Sequence, residues 1–409
     1  MSDILSFGRD RPPRRRWRRQ WQLAASAVGV AAVLAAVFIW YLPGRQHGTQ
    51  PRPVATLSPV APSPVAASVP PVKPALMTGQ PLPRDIGLSL LLGGHGPAWL
   101  QVATGRADPI RGLPRSGNGY QFIRIAGGWA AQPFPVDPGC DNCAPGPLPV
   151  YYLADGSRVA SRVGAADFAA PAAIRGVLWL VSYRRGADLR TAAGHAQEVS
   201  VTGAALGPRV ELPAGYAIDR GTRAGLVLVR EAAGSGPVRY ELWDPGTRRV
   251  RRSFVNLIAA SPAEIAWVDC TEGCQVHVMD LSGGPAGQFS LPGRSTAYAG
   301  AFSPDGRFLA LLVTARITAT GQPAAIRLTV ATVASGLITT VPGTTVGSGN
   351  GVSFGWQAGS HRLIADLATG PPRQPEWQIA VWGPGDARLS TALVRIPENS
   401  WPVIDQGPY

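Results

Sequence analysis

The amino-acid sequence predicts an all-β chain: a seven-bladed β-propeller, with six or eight blades as the neighbouring solutions, preceded by one transmembrane helix and a Pro-rich linker. Three observations predict it. The composition joins 49 Gly and 40 Pro to 45% hydrophobic and only 15% charged residues in 409. A disordered chain would be less apolar, and a helical bundle would not tolerate so many Gly and Pro. A two-stranded hairpin recurs along most of the chain at a period of about 46 residues. One uncharged apolar run stands near the N-terminus.

The elements follow in order. Residues 1–21 form a basic tail; eight Arg and two Asp in the first 45 residues hold about half of the formal charge of +13. From Leu23 to Leu42 the chain reads LAASAVGVAAVLAAVFIWYL without a charge, and about twenty residues at helical rise match a bilayer core of about 30 Å. A transmembrane helix over 22–42 is expected. The flank RRRWRRQWQ puts the N-terminus in the cytoplasm and the rest outside, and Trp17, Trp21, Trp40 and Tyr41 sit at the two interfaces. Bulky Phe38 to Leu42 occupies the place of a small-x-small cleavage site, and no lipobox cysteine follows, so an uncleaved anchor is expected. Residues 43–85 carry eleven prolines and read as an extended spacer reaching on the order of 130 Å at about 3.1 Å per residue.

Residues 86–409 hold the repeats. Seven hairpins begin at Pro97, Pro149, Gln197, Arg239, Val276, Arg327 and Trp377. A preceding hairpin is readable before Leu226, Ile265, Phe308 and Leu363, and no clear one precedes the first three units. Four strands per unit repeated radially bury both faces of each sheet, which is the propeller solution. At Ser303-Pro304-Asp305-Gly306 the turn has a mechanism: proline fixes φ at the first corner and glycine takes the positive φ.

The segment from Phe302 to Leu312, FSPDGRFLALL, resembles the TolB-like or WD-like (PD40-type) propeller repeat, in which an aromatic strand end, Ser-Pro-Asp-Gly and a β-rich strand recur in each blade. Ser261-Pro262-Ala263-Glu264 is a decayed copy. The resemblance implies a propeller fold of a kind that serves mainly as a platform for a protein or ligand and that also precedes serine-peptidase domains. Lys73 is the only lysine, an Arg-favouring bias that fits a GC-rich genome of actinobacterial type.

The chemistry readable from sequence is sparse. Cys140 and Cys143, and Cys270 and Cys274, are expected as structural disulfides, most simply as two local loops. A four-thiolate zinc site and a thioredoxin-like role for Cys140 and Cys143 are the alternatives, and cross-pairing between the clusters stays open. Gly351-Val-Ser353-Phe-Gly355 matches a nucleophile-elbow pattern, but a hairpin rather than a helix follows it. His47, His95, His195, His277 and His361 are scattered without ligand spacing. Asp219, Asp244, Asp269, Asp280, Asp305 and Asp366 fall mostly at strand ends, where carboxylates bond local amides. After the N-terminal 45 residues no basic run interleaves with aromatics, so no nucleic-acid partner is expected. The reading from sequence is therefore a non-catalytic, cofactor-free binding platform outside the cytoplasmic membrane, with an envelope protein or surface ligand as partner. The alternatives are an exported propeller hydrolase or lyase acting on glycans or lactones, and a sensor signalling through a membrane partner.

Overall fold

The computed structural model describes residues 77–135, 143–230, 238–271, 273–282, 287–293, 295–317, 323–347, 352–369 and 376–404. The expected transmembrane span, Trp17, Trp21, Trp40, Tyr41, most of the linker and Cys140 lie outside them. No helix of the described residues is long and apolar enough to cross a membrane.

Strands account for almost all regular structure. In chain order they are β1 (Gln80–Pro81), β2 (Ser89–Gly94), β3 (Ala98–Gln101), β4 (Arg106–Pro109), β5 (Tyr120–Ile125), β6 (Gly128–Pro133), β7 (Leu148–Ala154) and β8 (Ser161–Ala166). They continue with β9 (Phe168–Pro171), β10 (Val177–Ser182), β11 (His195–Ser200), β12 (Val210–Glu211), β13 (Ala217–Thr222), β14 (Gly225–Arg230), β15 (Arg239–Asp244) and β16 (Arg249–Val255). Then come β17 (Leu257–Ala260), β18 (Glu264–Asp269), β19 (Gln275–Asp280), β20 (Gly287–Ser290), β21 (Thr296–Phe302), β22 (Phe308–Ile317), β23 (Pro323–Thr332) and β24 (Ile338–Thr340). The last are β25 (Val346–Gly347), β26 (Val352–Trp356), β27 (Leu363–Ala368), β28 (Glu376–Trp382), β29 (Ser390–Arg395) and β30 (Ser400–Val403).

Consecutive strands pair antiparallel into meanders: β9 to β12, β13 to β16, β17 to β20, β21 to β24 and β26 to β29. The strands β2–β4 and β5–β8 form two further meanders, joined only where Gly94 meets Tyr120. Every hairpin expected at Pro97, Pro149, Gln197, Arg239, Val276, Arg327 and Trp377 is the last two strands of a meander.

Packing turns these meanders into a ring. Each pair of consecutive sheets shares one apolar cluster, as Phe302, Leu309, Leu311 and Val313 do with Ile258, Val268, Val276 and Phe289. The last sheet shares one with the first: Ile364, Ile379 and Val381 meet Leu88, Leu90, Leu92 and Leu100. A sheet buried on both faces needs near-continuous apolar runs such as FLALLV on β22, and each large side chain so buried contributes about 1.5–3 kcal/mol. Radial sheets sharing a core pairwise around a closed circuit are a β-propeller.

The circuit is closed by both chain ends. The C-terminal β30 pairs antiparallel with β2 and supplies the innermost strand of the first sheet. That is why the sequence shows no first hairpin in the first unit. In the second unit the hairpin is present, with its turn at Ala126-Gly127-Gly128 between β5 and β6. At the other end, β1 adds in parallel to the outer edge of β29, and buried Met77 exchanges two backbone hydrogen bonds of 2.7 Å with the Gln378 side chain. The described part of the expected linker thus lies against the last sheet.

Candidate functional site

The Ser303-Pro304-Asp305-Gly306 turn joins the first two strands of its meander, β21 and β22. Ser303, fully buried, donates its hydroxyl to Asp305 Oδ1 at 2.7 Å and accepts the Phe308 amide at 2.9 Å. Asp305 Oδ1 also accepts the Arg307 amide at 3.2 Å. In the decayed copy, the Ser261 hydroxyl accepts the Glu264 amide at 2.8 Å. The two turns are neighbours in space. A Cβ added to Gly306, whose φ is +71°, would come within 2.7 Å of Glu264 Oε2, so the glycine lets the carboxylate lie against the turn backbone.

Glu264 stands directly across the strand pair from Asp280, and Asp305 approaches from the next sheet. Burial, then the negative charges of Asp280 and Asp305, push the Glu264 carboxyl up to about 7. For Asp305, burial pushes upward too, but the Ser303 hydroxyl, the Arg307 amide and nearby His361 together hold its carboxyl below the ordinary range. His361 Nδ1 lies 3.6 Å and Arg307 Nε 3.9 Å from Asp305 Oδ2. Beside these groups Phe308 packs edge-on against His361 and stacked over Trp356, both with centroids 6.0 Å apart. The result is two carboxyl groups driven apart in acidity, a histidine and an aromatic wall. Such a pair can give a proton at one group and take one at the other.

Sequence reasoning named Asp305, Gly306 and Glu264 only as turn residues. It had no means of joining Glu264, Asp280 and Asp305, which come from two sheets; the decayed serine-proline turn was the sole signal. The other expected sites fall out as follows. Cys270 and Cys274 form a disulfide clipping the loop between β18 and β19, and Cys143 is also disulfide-bonded, which removes the four-thiolate zinc reading. Among the described residues no group of His, Cys, Asp and Glu could hold a metal ion. Ser353 lies inside β26 and is followed by β27, so no nucleophile elbow forms. Asp244, Asp269 and Asp280 accept amides of Gly246, Thr271 and Ser282, as strand-end carboxylates should. Asp366 departs from that pattern: it is fully buried in mid-strand, opposite Ser353.

No family model matches the chain, and no curated protein does. Solved structures similar to it include prolyl oligopeptidase B from Galerina marginata, 10% identical over 74% of this chain and 48% of that one, with a TM-score of 0.44. Dipeptidyl peptidase 4 from Porphyromonas gingivalis is 11% identical over 74% of this chain and 48% of that one, with a TM-score of 0.42. The β-propeller domain of Cps50 (Swd1) from Myceliophteria thermophila is 13% identical over 81% of this chain and 99% of that one, with a TM-score of 0.38. The chain spans about half the length of the two peptidases. Two expectations from sequence are corrected here. The non-catalytic platform and the absence of enzymatic activity rested on a missing catalytic constellation. The fold brings together a carboxyl pair of opposed acidity that the sequence had scattered, so the premise of both fails.

Proposed function

We propose that the chain is an exported β-propeller hydrolase whose acid–base centre is Glu264 with Asp305 and His361, acting on a C–O bond of an envelope glycan or lactone. One observation carries the reading: Glu264, raised to about 7, keeps a proton to give up to near neutrality, against a turn whose Asp305 is held below the ordinary carboxylate range. In the reaction water attacks the electrophilic carbon while Asp305, assisted by His361, takes the water proton. Glu264 gives its proton to the leaving oxygen, so the C–O bond breaks as the new one forms and the two protons balance. The Phe308 wall suits the apolar face of a sugar ring.

The same reading takes the ring as seven blades, from the seven apolar clusters that link the sheets in sequence and back to the start. It takes residues 22–42 as the N-in anchor, 43–85 as the spacer, and 86–409 as the domain held outside the membrane. The uncharged run from Leu23 to Leu42 supports that placement.

The test uses the purified full chain with fluorogenic glycosides, lactones and proline-containing peptides. Glycoside or lactone turnover that falls about 100-fold or more in Glu264→Gln and Asp305→Asn supports the assignment. Peptide cleavage indifferent to both substitutions would replace it with a peptidase reading, and turnover of none of the three classes would remove it.

A further inference from the structure

The outer edges of the sheets differ in how they end. Among the described residues β4, β12, β20 and β24 are two to four residues long, β29 is covered by β1, and β8, six residues long, carries no aromatic or long apolar side chain and buries Val163 and Ala166. β16 is seven residues long, is paired only on its β15 side, and exposes every residue except Phe254. Its sequence, RVRRSFV, places Arg249, Arg251 and Arg252 beside the exposed apolar side chains of Val250 and Val255, 47% and 53% accessible. Arg251 is matched by Asp244 across the sheet, whereas Arg249 has no ion pair among the described residues. A wall rises next to the edge. The Arg252 guanidinium lies 4.4 Å over the Trp267 ring, Trp267 stacks on His277 with centroids 5.1 Å apart, and Phe254 packs 5.4 Å from Trp267.

We propose that the β16 edge takes an additional strand from a partner protein: an extended segment alternating acidic and β-branched residues. Free backbone groups on a long edge are a template for strand addition, and this molecule already uses that mode where β1 adds to β29. The row of arginines selects the charge of the occupant. A second copy would set arginines opposite arginines, a repulsive register, so an acidic heterologous segment is the complementary one. Val250 and Val255 give its apolar residues contact, and Arg252, held over Trp267, presents a fixed positive charge beside the edge. This surface is separate from the Glu264 turn and does not depend on the hydrolase reading.

The probe is an eight-residue labelled peptide alternating Glu and Val, titrated by fluorescence anisotropy against the purified full chain, beside a Lys–Val peptide and a Glu–Val peptide with a central proline. The Glu–Val peptide should bind at least about tenfold more tightly than either control and should weaken as salt is raised. It should protect β16 amides from hydrogen exchange. The variant Arg249→Glu with Ser253→Glu, both exposed positions, should lose at least about tenfold in affinity while its melting temperature stays unchanged. Equal binding of the Glu–Val and Lys–Val peptides, binding indifferent to the variant, or a dimer in sedimentation that the variant abolishes would each overturn the proposal.

Discussion

At the scale of single residues two carboxyls, one half-buried and one fully buried, carry the pH dependence. Glu264 is raised to about 7 by burial, Asp280 and Asp305, so a hydrolase that uses it as an acid should lose activity as pH rises through about 7. A pH–rate profile of the full chain checks this, and Glu264→Gln should abolish the alkaline limb along with the activity. Asp366 accepts the Ser353 amide at 3.4 Å on one oxygen, and among the described residues the other has no hydrogen-bond partner. Burial raises it to about 8. Its folded value thus lies above its unfolded value of about 3.9, so the native state holds a proton that the unfolded state releases. The stability is complete below about pH 4 and is lost progressively as pH climbs to about 8. Denaturant melts from pH 4 to 9 should show a decline that Asp366→Asn flattens. An unchanged slope in that variant would show that Asp366 ionises freely in the fold.

At the scale of elements, turns and closures carry the specificity. Ser303 holds its turn with one donated and one accepted hydrogen bond in a fully buried place, so Ser303→Ala should destabilise by about 1–2 kcal/mol. It should also let the Asp305 carboxyl rise, which NMR titration of its side chain would report. Gly94 has φ of +100°, and a Cβ there would come 2.1 Å from the Asn399 carbonyl oxygen at the mouth of β30. Gly94→Ala should therefore cost about 3 kcal/mol and loosen β30 from β2, seen as faster hydrogen exchange in both strands and not in β13–β16. Three first strands, β13, β17 and β21, slip register at the same point, after Ile218, Leu257 and Ala297. A bulge repeated in three neighbouring sheets is a property of the repeat, bending each inner strand where the sheets converge.

For the whole molecule, stability resides in a circuit rather than in any one sheet. Truncation after Pro397 removes β30 and leaves β2 as a bare inner edge, with Leu91, Leu92 and Gly93 unpaired on that side. It should lower the melting temperature by far more than loss of the Cys270–Cys274 disulfide. That bond closes a loop of a few residues in one exposed hairpin and should contribute no more than about 2 kcal/mol. Differential scanning calorimetry of the truncated chain and of Cys270→Ser with Cys274→Ser separates the two. Comparable losses would mean that the ring does not act as one cooperative unit.

Much of the architecture follows from the sequence alone, because it depends on local chemistry. Period-two apolar runs, Gly and Pro at the corners and the seven hairpin turns are properties of a few adjacent residues, and the strands lie where these place them. The Gly127-Gly128 turn of the second unit is equally local. Closure was different: β30 reaches β2 across the entire domain, and no pattern within either strand names the other as partner. The candidate site belongs to the same category. Glu264 and Asp305 are separated by most of one repeat, and each alone has the look of a turn carboxylate. Only the pairing of β18 with β19 and the packing of the next sheet on them half-bury Glu264, set the charges of Asp280 and Asp305 beside it and make its acidity a matter of tertiary structure. Sequence determined the repeat because hydrogen-bonded hairpins are encoded by neighbours. Tertiary structure decided the chemistry because electrostatic coupling and desolvation act through space between residues the chain keeps apart.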